Sequence, residues 1–355
     1  VLNDTLARIT GSDRETGRRV TDYLDTLTKP PGSLGQLEIL AVQLASMTGD
    51  DFPRVTPPAV VVFAADHGVA AEGVSAFPQE VTAQMVANFV AGGAAINVFA
   101  RQIGARIEVI DVGVASELAS GELAQGAVDE KVRSGTANFV ESDAMTRAEA
   151  IQAIESGIRA ANRALDAGCR CLIVGEMGIA NTSASSAVLA VLSGEPVAAV
   201  VGPGTGIETS RLAHKQAVIE RAIAARQPQS GNPLEVLAKL GGLEMAAMAG
   251  AYLGAAARRM PVLVDGFIAT VAALVACRLC PEVRGFMIFG HRSREPGHDI
   301  ALTSLDAKPL LDLELRLGEG TGAALAFPLL EAATRMLAEM ATFASAGVAA
   351  GESGE

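Results

Sequence analysis

Glu319 stands inside Leu317-Gly-Glu-Gly-Thr-Gly322, one carboxylate in a glycine run just ahead of an apolar, helix-spaced segment. With Leu315, Leu317 and Leu325 beside it, its carboxyl group is expected to lose hydration, which raises its pKa toward that of a general base. The plainer alternative is a solvent-facing Glu at a glycine-rich helix start. Gly202-Pro-Gly-Thr-Gly-Ile207 offers different chemistry: it follows an apolar run and precedes a helical stretch with His214 and Lys215. Successive backbone N–H groups in such a loop can cradle a monophosphate at a helix start. A plain Gly-rich turn is the competing reading. Ile207 occupies the third glycine position of a dinucleotide fingerprint, and the Gly-Lys-Ser/Thr of a P-loop is missing.

Two further loops carry polar groups. In Pro261-Val-Leu-Val-Asp-Gly-Phe-Ile-Ala-Thr270 the pattern is superficially similar to a diphosphate-binding loop that handles pyrophosphorylated ribose, but Gly266 replaces the second acid needed for Mg²⁺. Asp265 remains a candidate ribose ligand at a strand end. Gly290-His-Arg-Ser-Arg-Glu-Pro-Gly-His298 packs two His, two Arg and a Ser into one loop, which favours a polar ligand over a merely solvated loop. Asp66 and His67, with His291 and His298, form a second reading, a metallohydrolase centre. Four scattered His favour hydrogen bonding of loops by His67 and His291 instead.

The elements that must carry these groups repeat one rhythm: a short run rich in Val and Ile, then Gly with a polar residue, then a helix-like segment. The runs are Val60–Ala65, Ile107–Val112, Cys171–Gly175, Val197–Val201, Pro261–Val264 and Phe286–Gly290. Runs without polar alternation read as strands buried on both faces, and alternation with helices predicts a mostly parallel sheet in a three-layer, Rossmann-like α/β domain. In such a sheet all carboxyl ends share one edge, where ligands bind. Asp66-His67-Gly68, Glu176-Met177-Gly178, the 202–206 loop, Asp265-Gly266 and His291-Arg292-Ser293 all leave strands and so converge there.

Two helical patterns over residues 12–49 flank Lys29-Pro-Pro-Gly-Ser-Leu-Gly35, with Ser33 as the expected cap of the second and Leu37, Leu40 and Leu44 on one face. Leu325, Leu329, Ala332, Met336 and Met340 form another apolar stripe. We expect residues 1–50 and 306–355 to build a small helical domain against a large domain of 51–305, with a disordered tail from Gly351 to Glu355.

Composition narrows the class. Of 355 residues, 28 are Lys or Arg and 40 are Asp or Glu, a net charge of −12, with half the chain hydrophobic and no Trp. That hydrophobicity excludes a disordered chain, and the absence of basic blocks and aromatic platforms argues against nucleic acid. Val81 to Ala100 is uncharged and long enough to span a bilayer, but it carries Thr82, Gln84, Asn88, Gly92, Gly93 and Asn97. A buried helix or helix pair is the better reading, and no membrane span is expected. No basic start precedes an apolar run at Val1-Leu2-Asn3-Asp4, so no signal peptide is expected. Cys169-x-Cys171 and Cys277-x-x-Cys280 adjoin apolar runs and read as buried free thiols ahead of a metal site.

Taken in order, several of these segments carry a resemblance. They are Lys29-Pro-Pro-Gly-Ser-Leu-Gly, Ala65-Asp-His-Gly-Val69 with Glu80-Val-Thr82, and Gly92-Gly-Ala-Ala-Ile-Asn97. Gly175-Glu-Met-Gly-Ile-Ala-Asn-Thr-Ser183, the Gly-Pro-Gly-Thr-Gly loop, Asp265-Gly-Phe267, Gly290-His-Arg-Ser293 and Arg316-Leu-Gly-Glu-Gly-Thr-Gly322 follow. From about residue 20 to about residue 345 the chain closely resembles the nicotinate-nucleotide–dimethylbenzimidazole phosphoribosyltransferases of cobalamin lower-ligand assembly. The resemblance implies transfer of phosphoribose from nicotinate mononucleotide to 5,6-dimethylbenzimidazole, giving α-ribazole 5′-phosphate and nicotinate. It also implies a cytoplasmic homodimer without metal or other cofactor.

By the family pattern Glu319 is the base that removes the benzimidazole proton, and Glu176 lies near the reacting ribose. Gly178, Pro203, Gly204, Thr205, Gly206, Asp265 and Ser293 then fall on the phosphate and nucleotide side. Lys215 either adds charge near the phosphate or orients Glu319. The acceptor base is expected along Phe77, Gln84, Met85 and Met177, with Leu317 as a wall. The dimer surface is expected on Val81–Ala100 or Leu243–Ala257. The residue chemistry agrees, since a pyridinium is already a cationic leaving group and attack from the opposite face inverts β to α. Besides the metallohydrolase, a non-catalytic binder of nucleotides or corrinoid precursors is the remaining alternative.

Overall fold

The computed structural model describes residues 1–116, 126–204, 206 and 209–349. Six strands, β1 Pro58–Ala65, β2 Arg106–Gly113, β3 Ala127–Asp129, β4 Cys171–Met177, β5 Val262–Val264 and β6 Met287–Phe289, form one sheet in the order β3-β2-β1-β4-β5-β6. Each pairing is parallel. Every residue of β1 is buried, as a strand covered on both faces must be. The chain leaves β1 toward β2 and later returns on the other side as β4, so the order reverses between these two neighbours. Their carboxyl ends open the crevice where such folds take ligands.

Helices cover both faces. They are α1 Leu2–Arg8, α2 Arg14–Leu24, α3 Gln36–Thr48, α4 Val81–Ala91, α5 Ala95–Gln102, α6 Arg147–Asp166, α7 Asn181–Ser193, α8 Thr209–Arg226, α9 Pro233–Leu240, α10 Leu243–Ala257, α11 Phe267–Leu279, α12 Pro296–Ser304 and α13 Thr321–Glu339. Helix α10 lies on β1, β2 and β4, with α6 packed against it. Their axes come close because small residues face each other: a Cβ on Gly157 of α6 would overlap the Ala247 carbonyl of α10. The α4 helix crosses the same three strands, α5 packs on β2, and α13 reaches β4 and β5 while also packing on α3 and α5. The apolar stretch from Val81 is therefore a helix pair, parted at Gly92-Gly93.

Four expectations are corrected. Val197–Val201 is not a strand: Val197–Val200 forms a single helical turn with Pro196 at its N-cap, and the sixth strand is Ala127–Asp129. Ser33 does not cap α3; Gly35 stands at that position, and the Glu38 side chain accepts the Leu34 N–H at 2.9 Å. The α13 stripe sits one step off the buried face: Ala323, Phe327, Leu330 and Leu337 are buried, while Leu325, Leu329 and Met336 flank them half-buried and Ala332 is exposed. Leu243–Ala257 cannot be a dimer surface, because as α10 it is buried from Leu243 to Ala256 in the chain's own core. The 351–355 tail lies outside the described residues.

Candidate active site

A cavity of about 350 Å³ opens at the carboxyl edge of the sheet, a volume suited to small ligands. Glu176 reaches it from the end of β4 and Glu319 from the loop that enters α13. These two segments touch directly. A Cβ on Gly175 would overlap the Glu319 carbonyl, so only glycine lets the loop lie against the strand here. The Glu319 N–H points at Glu176 Oε1, 3.4 Å away, and Asn181 Nδ2 donates to Glu176 Oε2.

Glu319 holds a left-handed backbone, φ +64°, which a side-chain-bearing residue adopts at a cost of roughly 1–2 kcal/mol. Asp265, at the end of β5, fixes that conformation. Its Oδ2 accepts the Gly320 N–H at 3.2 Å and its Oδ1 accepts the Ala323 N–H at 2.9 Å, tying the loop to the first turn of α13. Both carboxylate oxygens of Asp265 are thus engaged by backbone. It lines the cavity, yet its geometry suits holding Glu319 more than binding ribose.

The electrostatics follow from burial. Burial pushes the Glu176 carboxyl up to about 8, the Glu244 and Asp265 charges push the same way, and the Glu319 N–H and Asn181 oppose them. Burial also raises Glu319, opposed by the Ile96 N–H of α5 donating to its Oε2 at 3.3 Å and reinforced by Asp265. The leucine wall expected from sequence is not the cause, for Leu317 is 59% exposed and Leu315 only half-buried.

Glu176 makes stability pH-dependent with a definite sign. Between the ordinary value of 4.5 and about 8, the folded chain holds a proton that the unfolded chain releases, so stability falls as pH rises through this window. Melting temperatures measured from pH 5 to pH 8 should decline less steeply in Glu176→Gln than in the parent. Identical slopes would count against the raised Glu176.

The anion side is more dispersed than the loop motif implies. Gly204 lines the cavity, but Pro203 and Gly206 are exposed and lie outside its lining, and Thr205 falls outside the described residues. Lys215, buried on α8, donates from Nζ to Thr182 Oγ1 at 2.9 Å and to the Gly202 carbonyl at 3.1 Å. Burial brings it down to about 8, opposed by Glu295. Lys215 therefore braces the glycine loop. Ser293 and Gly178 line the cavity, and Arg316 Nη1 points at the Gly204 carbonyl from 3.4 Å.

Of the residues expected at the acceptor base, Phe77, Met85, Met177 and Leu317 line the cavity. Gln84 is exposed and does not; Val81, one turn before Met85 on α4, takes that place. Sequence reasoning gave no role to Asn181, Thr182, Glu295 or Arg316. A signal existed for two of them, since Asn181 and Thr182 open the helix after β4. Glu295 precedes a helix-starting Pro296, but nothing in the sequence turns it inward.

His67 and His298 are held by buried side-chain contacts outside the cavity lining, whereas His291 lines the cavity beside Asp265. His67 Nε2 lies 2.6 Å from Glu244 Oε1, with both residues fully buried. His291 Nε2 is 3.4 Å from Asp265 Oδ1. His298, brought down to about 4 by burial and by His291, accepts the Ser293 N–H on Nδ1 at 2.7 Å. Its Nε2 is therefore the protonated nitrogen, donating to Thr270 Oγ1 at 3.0 Å. Among the described residues, no three His, Cys, Asp or Glu side chains come together to hold a metal. The four cysteines are unpaired, and burial pushes Cys171 and Cys277 up to about 12.

A protein-family model described as Phosphoribosyltransferase matches residues 9–348. The chain belongs to this phosphoribosyltransferase family. It is 55% identical to the nicotinate-nucleotide–dimethylbenzimidazole phosphoribosyltransferase of Chloroflexus aggregans, over 98% of both chains. The Geobacter sulfurreducens protein of the same name is 50% identical over 99% of both. A crystal structure of the Thermus thermophilus phosphoribosyltransferase of that name shares 49% of its sequence, with a TM-score of 0.89, covering 96% of this chain and 100% of that one. The three-layer fold and the enzyme class are those of this phosphoribosyltransferase family.

Proposed function

We propose that this phosphoribosyltransferase transfers the phosphoribosyl group of nicotinate mononucleotide to 5,6-dimethylbenzimidazole, giving α-ribazole 5′-phosphate and nicotinate. One observation carries the reading: two buried carboxyl-bearing residues, Glu176 and Glu319, line one cavity together with Gly204, Ser293 and Arg316. The names of these relatives point to the same substrates.

In the reaction the C1′–N bond to the pyridinium breaks, and its electron pair returns to the ring nitrogen as nicotinate leaves. The lone pair of one benzimidazole nitrogen forms the new C1′–N bond on the opposite face, which inverts the centre. Glu319 takes the proton from the other nitrogen; burial raises its affinity for that proton. The positive pyridinium ring beside Glu176 favours its carboxylate, so binding substrate lowers the Glu176 pKa and places a negative charge by the oxocarbenium-like centre. Phe77, Met85 and Met177 offer apolar and sulfur surfaces for a flat base, and Gly204 with Arg316 faces the phosphate.

We further assign residues 1–50 and 306–349 to a small helical unit, on the support of the α3–α13 packing. A cytoplasmic homodimer completes the proposal. Unpaired cysteines suit a reducing compartment, and Val98, 49% exposed on α5, marks the α4–α5 face as the candidate interface. The decisive experiment incubates the protein with nicotinate mononucleotide and dimethylbenzimidazole and chromatographs for α-ribazole 5′-phosphate, with and without added divalent metal. We expect product in both; absence of product in both overturns the assignment.

A further inference from the structure

A second cavity, of about 490 Å³, lies at the amino edge of the sheet, opposite the catalytic rim. Its walls come from segments that lead into strands: Arg54 ahead of β1, Arg170 directly before β4, and Arg258 to Pro261 between α10 and β5. Four arginines line it against a single acid, Asp50, in a chain whose net charge is −12. Such a concentration of one sign in an oppositely charged protein calls for an explanation.

The fold explains two of the four. Arg258 Nη1 lies 2.6 Å from Asp166 Oδ1. Arg259 donates to the Ser46 carbonyl at 2.9 Å, near the carboxyl end of α3, and sets its guanidinium 5.5 Å from the centre of the Phe286 ring. Arg54 and Arg170 differ: both are exposed, and among the described residues their side chains have no hydrogen bond or ion pair. Two free guanidinium forks on one concave wall match the geometry of phosphate oxygens. Leu165, Met260 and Pro261 supply an apolar floor beside them.

We propose that this cavity binds a multiply charged phosphate compound, with Arg54 and Arg170 on the anion and Leu165, Met260 and Pro261 against the rest of the ligand. The site is separate from the transfer reaction and does not depend on its assignment. Isothermal titration of the protein with inorganic pyrophosphate, at about 150 mM salt where exposed charges are screened beyond ~8 Å, tests it. Saturable binding is expected in the parent and should weaken at least tenfold in Arg54→Ala/Arg170→Ala, while kcat and KM of the transfer reaction without pyrophosphate stay unchanged. If both arginines merely neutralise the carboxyl ends of α3 and α6, the double variant melts lower yet binds pyrophosphate as the parent does. That result, or no saturable binding by either protein, overturns the proposal.

Discussion

Replacing Glu319 with Gln lowers turnover by about 10²–10⁴, the usual contribution of a general base, and leaves the fold intact. The amide has the same shape, and its oxygen can still accept the Ile96 N–H. The Asp265 bonds that hold the loop involve only the backbone of Gly320 and Ala323, so they survive. What disappears is the group that can take a proton. In the parent, kcat against pH should rise with an ascending limb displaced above the ordinary Glu range, in keeping with the burial that raises Glu319. In the variant that limb should be absent, while the melting temperature stays near the parent's. Near-normal turnover would remove Glu319 from the reaction. A collapsed melting temperature would instead assign it to the scaffold.

The second large effect is on stability. Glu244→Ala should destabilise the chain by about 3–5 kcal/mol, because it strands His67 in a fully buried site without its charged partner. Burial works against the charged form of His67, but Glu244 and Asp66 overcome it and raise its pKa. Urea denaturation monitored by circular dichroism would show the loss as an earlier midpoint. Replacing both residues at once, with His67→Phe and Glu244→Leu, should restore much of it, since neither charge then remains buried. A double variant no better than the single would show that packing, not the ion pair, matters here. A further readout links the pair to the site: without the Glu244 charge, Glu176 should titrate below its parent value of about 8.

The sheet was legible where runs of Val and Ile leave no polar alternation, as in β1 and β4, because full burial on both faces demands that composition. It was illegible at β3, three residues long and only partly buried, which carries no such demand. Val197-Ala-Ala-Val200 shows the converse, an apolar run that Pro196 and two alanines turn into helix. The glycine-flanked carboxylates could be singled out as chemistry-bearing because spacing places them at loop starts. The reason for the raised Glu319 was out of reach. It lies in the burial of the 318–320 loop against β4, with Asp265 just past β5 and the first turn of α5 beside it, contacts that no local pattern contains. Gln84 and Val81 differ by one turn-step on α4, and only the helix's rotation about its axis decides which faces the cavity.

The loop that carries Glu319 follows every strand of the sheet in chain order, and it is secured by β4 and β5 on one side and α13 on the other. During synthesis the strands, the glycine loop and Glu176 therefore leave the ribosome before Glu319 does. The face of α3 that packs on α13 must likewise wait for about 270 residues to be made, from Thr48 to Thr321. A nascent chain can present the rim without Glu319, and the site is complete only when the 318–320 loop docks against β4 and the two distant ends of the chain close on each other.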